Sequence, residues 1–457
     1  MRSAARLFPV LCLSISCNID RVSVPDPTLA LHTSVTGGNP DCRVNRREAG
    51  DRTDLVDFLC AIEIPGSPIT SSAKGWVEQQ TAMYYLSDAS NAGVDVIDIR
   101  THTWVGRVSG FAGAAGTAGG TATTNGPGPS SFVSAPAGRA GNGDAGDDTD
   151  DDDRRRGGAN RLLWVSDGNS LVQIVDPNRM RIVASVNTAI AACDGGTATT
   201  HYCGRTNEIG YDPEHHIVLV SNPSPLTLTA PHVMGDPYAT FISARPPYTV
   251  LGHITFPAAG NSEGHIWVPE LRRFLLPVQP TAVTQATRGS MYIAVINPKS
   301  MQIEDKRVYY CPDIPGTVST STGNNNLQLG PDHHLLAQMC GRPIIMDVRT
   351  GEILNVITKV GTGDQDWYNP GDRNFYVSGA DSATGVASLG VIDARSGTWL
   401  QNVPNLLGAS PSAFARTNEI FTRVQVNAAI VANPATDTSR CVVKGRGCVV
   451  VFAHVGN

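Results

Sequence analysis

Three ionisable side chains are the strongest candidates for chemistry, because each lies in a short segment that combines polar groups with aromatic ones. They are His265, Arg205 and Asp366. An imidazole or a carboxyl group can transfer protons, and a guanidinium can polarise an oxygen atom and stabilise developing negative charge. We therefore predict catalytic roles for these three residues, as hydrogen-bond donors or acid–base groups.

Further residues in the same segments have the side chains of a small-molecule pocket. The predicted substrate-binding residues are Trp76, Asn207, Glu208, Trp267, Asp364, Trp367, Tyr368 and Phe414. Aromatic walls with a few converging polar groups are the usual composition of such a site. The alternative is structural: the tryptophans pack between neighbouring elements, and pairs of arginine with acidic residues hold those elements together.

All these candidates occupy the same place in an internal repeat. Each repeat contains a strand, a second strand that ends in a small polar residue, a tight turn and a further strand. The small polar residues are Asp98, Asp176, Ser243, Asn297, Asp347 and Asp393. Such a side chain accepts hydrogen bonds from backbone amides two residues on, which favours a hairpin. The later repeats are 46 to 54 residues apart, the size of one propeller blade.

The repeats predict an all-β protein with the fold of a seven-bladed β-propeller, six blades being the alternative. Strands 419–426 and 447–454 have no outer strand after them, whereas segment 58–66 matches the outer strand 249–257 in character. We expect 58–66 to close the ring on the last blade, which removes open sheet edges. The propeller would span 58–454 as one domain, with the candidate residues at the mouth of its central channel.

The composition agrees with a turn-rich β protein. The 457 residues include 46 Gly and 30 Pro but only 17% charged residues, and the net charge is -6. Helical bundles and coiled coils have a different composition. The acidic balance argues against nucleic acid as a partner, and no apolar run has the roughly 18 residues of a membrane span. The oligomeric state stays open, a monomer being the simplest expectation.

The N-terminus and the cysteines indicate an oxidising compartment. Residues 1–16 combine two arginines, an apolar stretch and small residues before Cys17, which predicts a secretory signal peptide, followed by an extension over 17–57. Sequence neighbours among the remaining cysteines form four short-range pairs: Cys42 with Cys60, Cys193 with Cys203, Cys311 with Cys340, and Cys441 with Cys448. Disulfide bonds would place the protein in the secretory pathway or outside the cell, although the sequence does not fix the pairing.

A low-complexity insertion, 110–158, separates the first two repeats. Its Gly, Ala and Thr residues and its acidic run 147–153 cannot bury enough apolar area to fold. The run also lacks the alternating ligands and terminal Glu of a calcium loop. The histidine pairs 215–216 and 333–334 follow turns, and we interpret them as surface polar residues. We predict no metal site and no cofactor.

Two resemblances bear on function. The segments LGVIDARSGTWLQNV (389–403) and YDPEHHIVLVSNP (211–223) resemble the YVTN/YncE-type β-propeller repeats, over roughly 58–454. That family implies the fold but no particular activity, because propellers host binding modules and unrelated enzymes. A secreted propeller with a Gly-rich insertion is also similar to the fungal hetero-Diels–Alderases of tropolone–sesquiterpenoid pathways. This second resemblance is one of architecture and sequence style, and no single motif of this sequence supports it.

Three functions follow as alternatives. The second resemblance implies a cofactor-free enzyme of secondary metabolism, which dehydrates a polyketide tropolone to an o-quinone methide and adds it to a terpene alkene. Its substrate would be an apolar small molecule. The second alternative is a non-catalytic propeller that binds a ligand or a protein. The third is a calcium-dependent lactonase or lyase, for which Glu208, Asn325 and Asp366 could supply ligands.

Overall fold

Strands dominate the structure, a computed structural model. It describes Cys42 and residues 55–113, 128–138, 161–190, 202–203, 205–223, 226–227, 235–262, 264–318, 326–361, 363 and 365–455. The helices within these ranges are short: α1 (Ala428–Ala432) and 3-10 turns at Ala89–Asn91, Gln285–Ser290, Cys311–Asp313 and Pro434–Thr436. None of the described helices has the length and apolar character needed to span a membrane. The predicted signal peptide and most of the insertion 110–158 lie outside the described residues. Within the insertion, however, Phe132–Pro136 forms a strand, contrary to the expectation that this segment does not fold.

The strands form seven antiparallel sheets in a ring, which confirms the prediction of a seven-bladed β-propeller. The first described strand is β1 (Leu55–Glu63), and the blades follow, each given from its innermost strand outwards. Blade 1 contains β2 (Ser72–Glu78), β3 (Met83–Asp88), β4 (Gly93–Asp98) and β5 (Thr103–Ser109), and blade 2 contains β6 (Phe132–Pro136), β7 (Arg161–Ser166), β8 (Leu171–Asp176) and β9 (Arg181–Asn187). A separate two-stranded sheet pairs β10 (Tyr202–Cys203) with β13 (Leu226–Thr227).

The remaining blades have the same order of strands. Blade 3 contains β11 (Ile209–Asp212), β12 (Ile217–Asn222), β14 (Tyr238–Ser243) and β15 (Val250–Thr255). Blade 4 has a divided inner strand, β16 (Asn261–Ser262) and β17 (Ile266–Val268), then β18 (Arg273–Gln279), β19 (Tyr292–Asn297) and β20 (Gln302–Val308). Blade 5 contains β21 (Asn326–Leu329), β22 (His334–Met339), β23 (Arg342–Asp347) and β24 (Ile353–Val356). Blade 6 contains β25 (Asp366–Asn369), β26 (Asn374–Ala380), β27 (Ala387–Asp393) and β28 (Thr398–Pro404). Blade 7 contains β29 (Gly408–Phe414), β30 (Glu419–Val424) and β31 (Cys448–Val455), with β1 outermost.

The outer hairpins confirm the role predicted for the small polar residues. The Oδ1 atom of Asp347 accepts hydrogen bonds from the backbone N–H of Arg349 at 2.8 Å and of Thr350 at 3.0 Å. Asp176 and Asp393 make the same pair of contacts in blades 2 and 6. In blades 1 to 6 the strand register also shifts immediately before this residue, which adds local twist to the outer edge of the blade.

The hydrophobic core lies between the faces of adjacent blades. In β12 all six residues are buried, since both faces of this strand contact a neighbouring blade. Tyr84 of blade 1 stacks on Phe421 of blade 7 with 5.4 Å between ring centroids. The fully buried Trp164 of blade 2 packs edge-on against Tyr248 of blade 3, also at 5.4 Å. Because every blade buries its two faces, the blades hold the inner strands in fixed positions around the channel.

The ring closes as predicted, through the first strand of the propeller. β1 pairs with β31 from Leu55 opposite Val455 to Glu63 opposite Cys448, so it begins and ends three residues earlier than the predicted strand 58–66. In blade 6, the Gln401 side chain accepts from the backbone N–H of Val56 and donates to its carbonyl, both at 3.0 Å. Buried aliphatic side chains of β1 contribute about 1.5–3 kcal/mol each to this closure.

Three of the four expected disulfide bonds are present among the described residues. Cys42–Cys60 attaches the preceding segment to β1, Cys311–Cys340 joins the segment after blade 4 to blade 5, and Cys441–Cys448 closes a loop of blade 7. Cys193 lies outside the described residues, so its pairing with Cys203 stays a prediction. Disulfide bonds of this kind are typical of proteins that fold in an oxidising compartment.

Candidate functional site

The candidate site is the end of the channel at which the chain reaches each inner strand from the preceding blade. We call it the channel mouth and define it by Lys74, Asn207, Glu208, His265 and Asp366. Lys74 is the third residue of β2, whereas Asn207 and Glu208 directly precede β11. His265 directly precedes β17, and Asp366 is the first residue of β25. The ring thus brings together residues that are up to about 290 positions apart in the sequence.

A buried ion pair connects blade 1 to blade 3 at the mouth. The Lys74 Nζ atom donates to Glu208 Oε1, and both side chains are almost completely buried. The Ser131 hydroxyl, beside β6, donates to Glu208 Oε2 at 3.3 Å. Removal of one partner from such a pair is strongly destabilising, because it leaves an uncompensated buried charge. Glu208 was predicted to bind substrate, and the structure shows it bound to Lys74.

Lys74 was not identified from the sequence, and a register shift explains why. The pairing of β2 with β3 slips between Ser72 and Gly75, so the strict alternation of inward and outward residues is lost at Lys74. The Ser87 hydroxyl accepts a hydrogen bond from the Lys74 backbone N–H at 2.7 Å and stabilises this irregular segment. The alternation of polar and apolar residues along the strand therefore does not reveal that Lys74 points inwards.

Asp366 is a buried carboxyl group with one unpaired oxygen. Asp366 is only 8% exposed, and its Oδ2 atom has no hydrogen-bond partner among the described residues. Burial raises the pKa of Asp366 to about 7, against the opposing effect of the Lys74 charge and of the Asp366 backbone N–H. Near neutral pH, the carboxyl group is therefore populated in both its protonated and its ionised form.

His265 is neutral over the same pH range. Burial lowers its pKa to about 4; the hydrogen bond to Leu219 opposes this shift, and the Lys74 charge adds to it. The Nε2 atom lies 2.9 Å from the carbonyl oxygen of Leu219, which can only accept, so Nε2 carries the proton. The Nδ1 lone pair is then the proton acceptor, and it has no partner among the described residues.

A cavity of about 160 Å³ opens at the mouth between blades 1, 2, 3 and 7. Its lining includes Lys74, Arg205 and Asn207. The Ser130 hydroxyl, beside β6, donates to Asn207 Oδ1 at 2.7 Å and holds that amide in place. The predicted residues Arg205 and Asn207 thus line one cavity together with Lys74, whose charge also acts on His265 and Asp366.

The predicted aromatic residues pack mainly against the blades. Trp76 stacks on Tyr85 with 6.3 Å between ring centroids, and Trp267 lies edge-on to Phe274 at 5.1 Å. Phe414 is buried in the core between blades 7 and 1. These contacts correspond to the structural alternative, in which inner-strand aromatics fill the space between blades.

The other two predicted aromatics also touch the core. Trp367 packs against buried clusters on both sides of blade 7, and Tyr368 lies 5.5 Å from Phe375 between ring centroids. Trp267 and Trp367 remain partly exposed, and their Nε1 atoms have no partner among the described residues. Asp364 lies outside the described residues, so its role stays a prediction.

The histidine pairs make structural contacts at the opposite end of the blades. His215 Nδ1 lies 2.5 Å from Asp212 Oδ2 within one turn, and His334 Nδ1 donates to the Ala394 carbonyl at 2.8 Å. His333 forms an ion-pair contact with Glu270 of blade 4. Within the described ranges, no three His, Cys, Asp or Glu side chains cluster closely enough to hold a metal ion. Asn325, considered as a calcium ligand, lies outside those ranges.

Comparison with known proteins adds little information beyond the fold. No protein-family model matches the chain, and no curated protein matches it. A chain from the "Crystal Structure of Mitotic Checkpoint Complex" is similar at a TM-score of 0.49 and 9% identity, over 89% of this chain and 93% of that chain. A similarity at this level carries no argument about function.

Proposed function

We propose that this protein is an enzyme that acts on a small molecule by general acid–base catalysis at the channel mouth. The observation that carries the proposal is the buried Asp366 carboxyl group, with an unpaired Oδ2 and a pKa of about 7. A general acid works best when its pKa lies near the working pH. Buried carboxyl groups with such pKa values are concentrated at functional sites.

Asp366 and His265 divide the roles of acid and base. Between about pH 4 and pH 7 the carboxyl group is protonated and the imidazole is neutral. Asp366 can therefore donate a proton, and the His265 Nδ1 atom can accept one, while neither carries a charge in the buried channel. Two groups whose environments shift their pKa values in this way are suited to a coupled proton transfer.

The reaction implied by the hetero-Diels–Alderase resemblance fits this pair. Asp366 would protonate the leaving hydroxyl of an o-hydroxybenzyl-type alcohol, so that the C–O bond breaks and water departs. His265 would accept the proton of the neighbouring ring hydroxyl, which leaves a neutral o-quinone methide, an Asp366 carboxylate and a His265 imidazolium. Return of a proton from His265 to Asp366 through the solvent would then regenerate both groups. The subsequent [4+2] addition to an alkene needs no proton from the protein, only alignment of the two reactants.

The test is a turnover assay with defined reactants. Purified protein is incubated with 2-(hydroxymethyl)phenol and the corresponding tropolone alcohol, each with a terpene alkene, and adducts are measured by liquid chromatography and mass spectrometry. We expect a bell-shaped pH profile with limbs near 4 and 7, and a loss of about 10²–10⁴-fold in Asp366→Asn. The Asp381→Asn variant, which changes a partly exposed carboxylate, is the matched control. Full activity of Asp366→Asn, or no acceleration by the wild-type protein, would refute the proposal.

A ligand-binding function without turnover is the second candidate. It is favoured by the packing of Trp76, Trp267 and Phe414 against the blades, since these side chains then contribute less wall to a hydrocarbon pocket. The same assay separates the two functions, because a binding protein would retain ligand without forming product.

We also propose that the chain is exported through the secretory pathway. The disulfide bonds support an oxidising compartment, and residues 1–16 have the composition of a signal peptide. Expression in a secreting host and N-terminal sequencing should give a mature protein that begins at Cys17. Retention of Met1 in the exported or the cellular protein would contradict this.

A further inference from the structure

We propose that the substrate carries an oxyanion, and that Arg205 binds it in the cavity at the channel mouth, beside the Lys74–Glu208 ion pair. The inference rests on the proposed function, because it names the substrate class of the same site. It departs from the apolar substrate that the sequence suggested, and it starts from the chemistry of the cavity lining.

The charge of the lining is positive. Arg205 and Lys74 both line the cavity, and Glu208 is the acidic group bound to Lys74. The Arg205 guanidinium is half-buried and forms no ion pair with any described residue. A guanidinium in a partly desolvated site attracts an anion more strongly than one in bulk water, because the effective dielectric constant is lower. The planar set of donors of the guanidinium matches a carboxylate or the enolate of an acidic enol.

Neutral groups of the lining add hydrogen-bond donors. The Gln425 Oε1 atom accepts from the Ser72 backbone N–H at 3.0 Å and from the Arg423 guanidinium at 3.3 Å. The amide NH2 of Gln425 is consequently the end that remains for a ligand. The uncompensated charge of Arg205 and an amide donor around one space favour a ligand that accepts hydrogen bonds and carries negative charge.

The size and position of the cavity define the class of ligand further. A volume of about 160 Å³ is enough for a carboxylate or acidic enol together with a single ring. Lys74 lies at the junction, because it lines the cavity and acts by its charge on both Asp366 and His265. An oxyanion bound in this cavity would therefore oppose the positive field that Lys74 exerts on the acid–base pair.

The test is a binding measurement with a charged probe and its neutral analogue. Salicylate and salicylamide are titrated into the wild-type protein by isothermal calorimetry, at low and at high salt. We expect saturable binding of salicylate that weakens with salt, and about tenfold weaker binding in Arg205→Gln. Arg181→Gln, which removes an exposed cation from the outer strand β9, should leave the affinity unchanged.

The controls keep the result interpretable. Arg205→Lys retains the charge and should recover part of the affinity, while circular dichroism checks that each variant is folded. Equal affinity of wild type and Arg205→Gln for salicylate, equal affinity of the wild type for salicylamide, or no binding of salicylate at all would overturn the inference. Asp366→Asn should still bind salicylate. Loss of turnover with retained binding would refute only the acid–base proposal, and turnover with no oxyanion binding would refute only this inference.

Discussion

Replacement of Asp366 by asparagine should stabilise the protein at alkaline pH and have little effect at acidic pH. The folded protein holds the carboxyl proton up to a pKa of about 7, whereas the unfolded chain releases it near the ordinary value of 3.8. The folded state therefore binds more protons than the unfolded state between these two values. Stability falls as the pH rises through this range and is constant above it.

The size of the effect follows from the shift in pKa. A difference of about three pH units corresponds to about 4 kcal/mol at 1.36 kcal/mol per unit. Asparagine is neutral at every pH and has almost the same shape, so the variant avoids this cost. With an unfolding entropy of about 2.1 cal/mol/K per residue, 4 kcal/mol raises the melting temperature of this chain by about 4 °C.

The measurement is urea unfolding of the wild type and the variants at pH 2, 4, 6 and 8. The stability difference in favour of Asp366→Asn should be near zero at pH 4 and reach its full value at pH 8. Asp381→Asn provides a control of opposite sign. The Asn402 side chain and nearby backbone amides lower the pKa of Asp381 to about 2, so its carboxylate stabilises the fold above pH 3.8. That variant should lose stability at pH 8 and resemble wild type near pH 2.

Two outcomes would refute this reasoning. If Asp366→Asn were less stable than wild type at pH 8, the carboxylate would be ionised and well paired in the folded protein. If the difference did not change with pH, the pKa of Asp366 would be the same in the folded and unfolded chains. Either result would also remove the basis for a general acid at this position.

Three further predictions test other parts of the structure. When the pH falls from 7.5 to 4, the free energy of unfolding of His265→Gln should rise by about 3 kcal/mol relative to wild type. The reason is that wild type loses stability as the histidine of the unfolded chain protonates below pH 6.5. Urea titrations that show the same difference at both pH values would contradict the low pKa. Deletion of residues 1–63 should abolish cooperative thermal unfolding, since it removes β1 and its buried aliphatic residues; a sharp calorimetric transition in the truncated protein would show that closure is dispensable. Gly330→Ala should cost about 1–3 kcal/mol, because its Cβ would lie 2.3 Å from Cζ of Phe375, whereas Gly289→Ala meets no atom within 4 Å and should be neutral; equal stabilities would mean that Phe375 moves freely.

The fold was predictable because the repeat specifies the turns, the spacing of the blades and the place of the closing strand. The small polar residue of each outer hairpin, such as Asp347, specifies a turn, and the spacing of the repeats specifies the blades. The closing strand was recognisable because the last blade lacked an outer strand of its own. Each of these signals is local or periodic, and none depends on which side chains meet across the channel.

The candidate site was predictable only in part, because the channel depends on contacts between distant blades. Asp366 and His265 could be selected by residue type and position, but their burial and shifted pKa values depend on the closed ring. Lys74 was missed because a register shift, rather than alternation, turns it towards Glu208. The tryptophans were assigned to the channel wall, since the sequence does not distinguish a ligand-facing aromatic from one that packs on the next blade.

The closure of the ring by β1 and β31 has a consequence for biosynthesis. β1 is made first among the described propeller strands, and its partner β31 is made last among them. About 385 residues separate them, so at typical translation rates β1 waits about 20–80 s with its hydrogen-bonding edge unpaired. The Cys42–Cys60 disulfide can form during that interval and restrict the waiting strand. Folding of the seven blades can therefore be completed only after the last strand has left the ribosome, and a chaperone that covers β1 in the meantime would raise the yield.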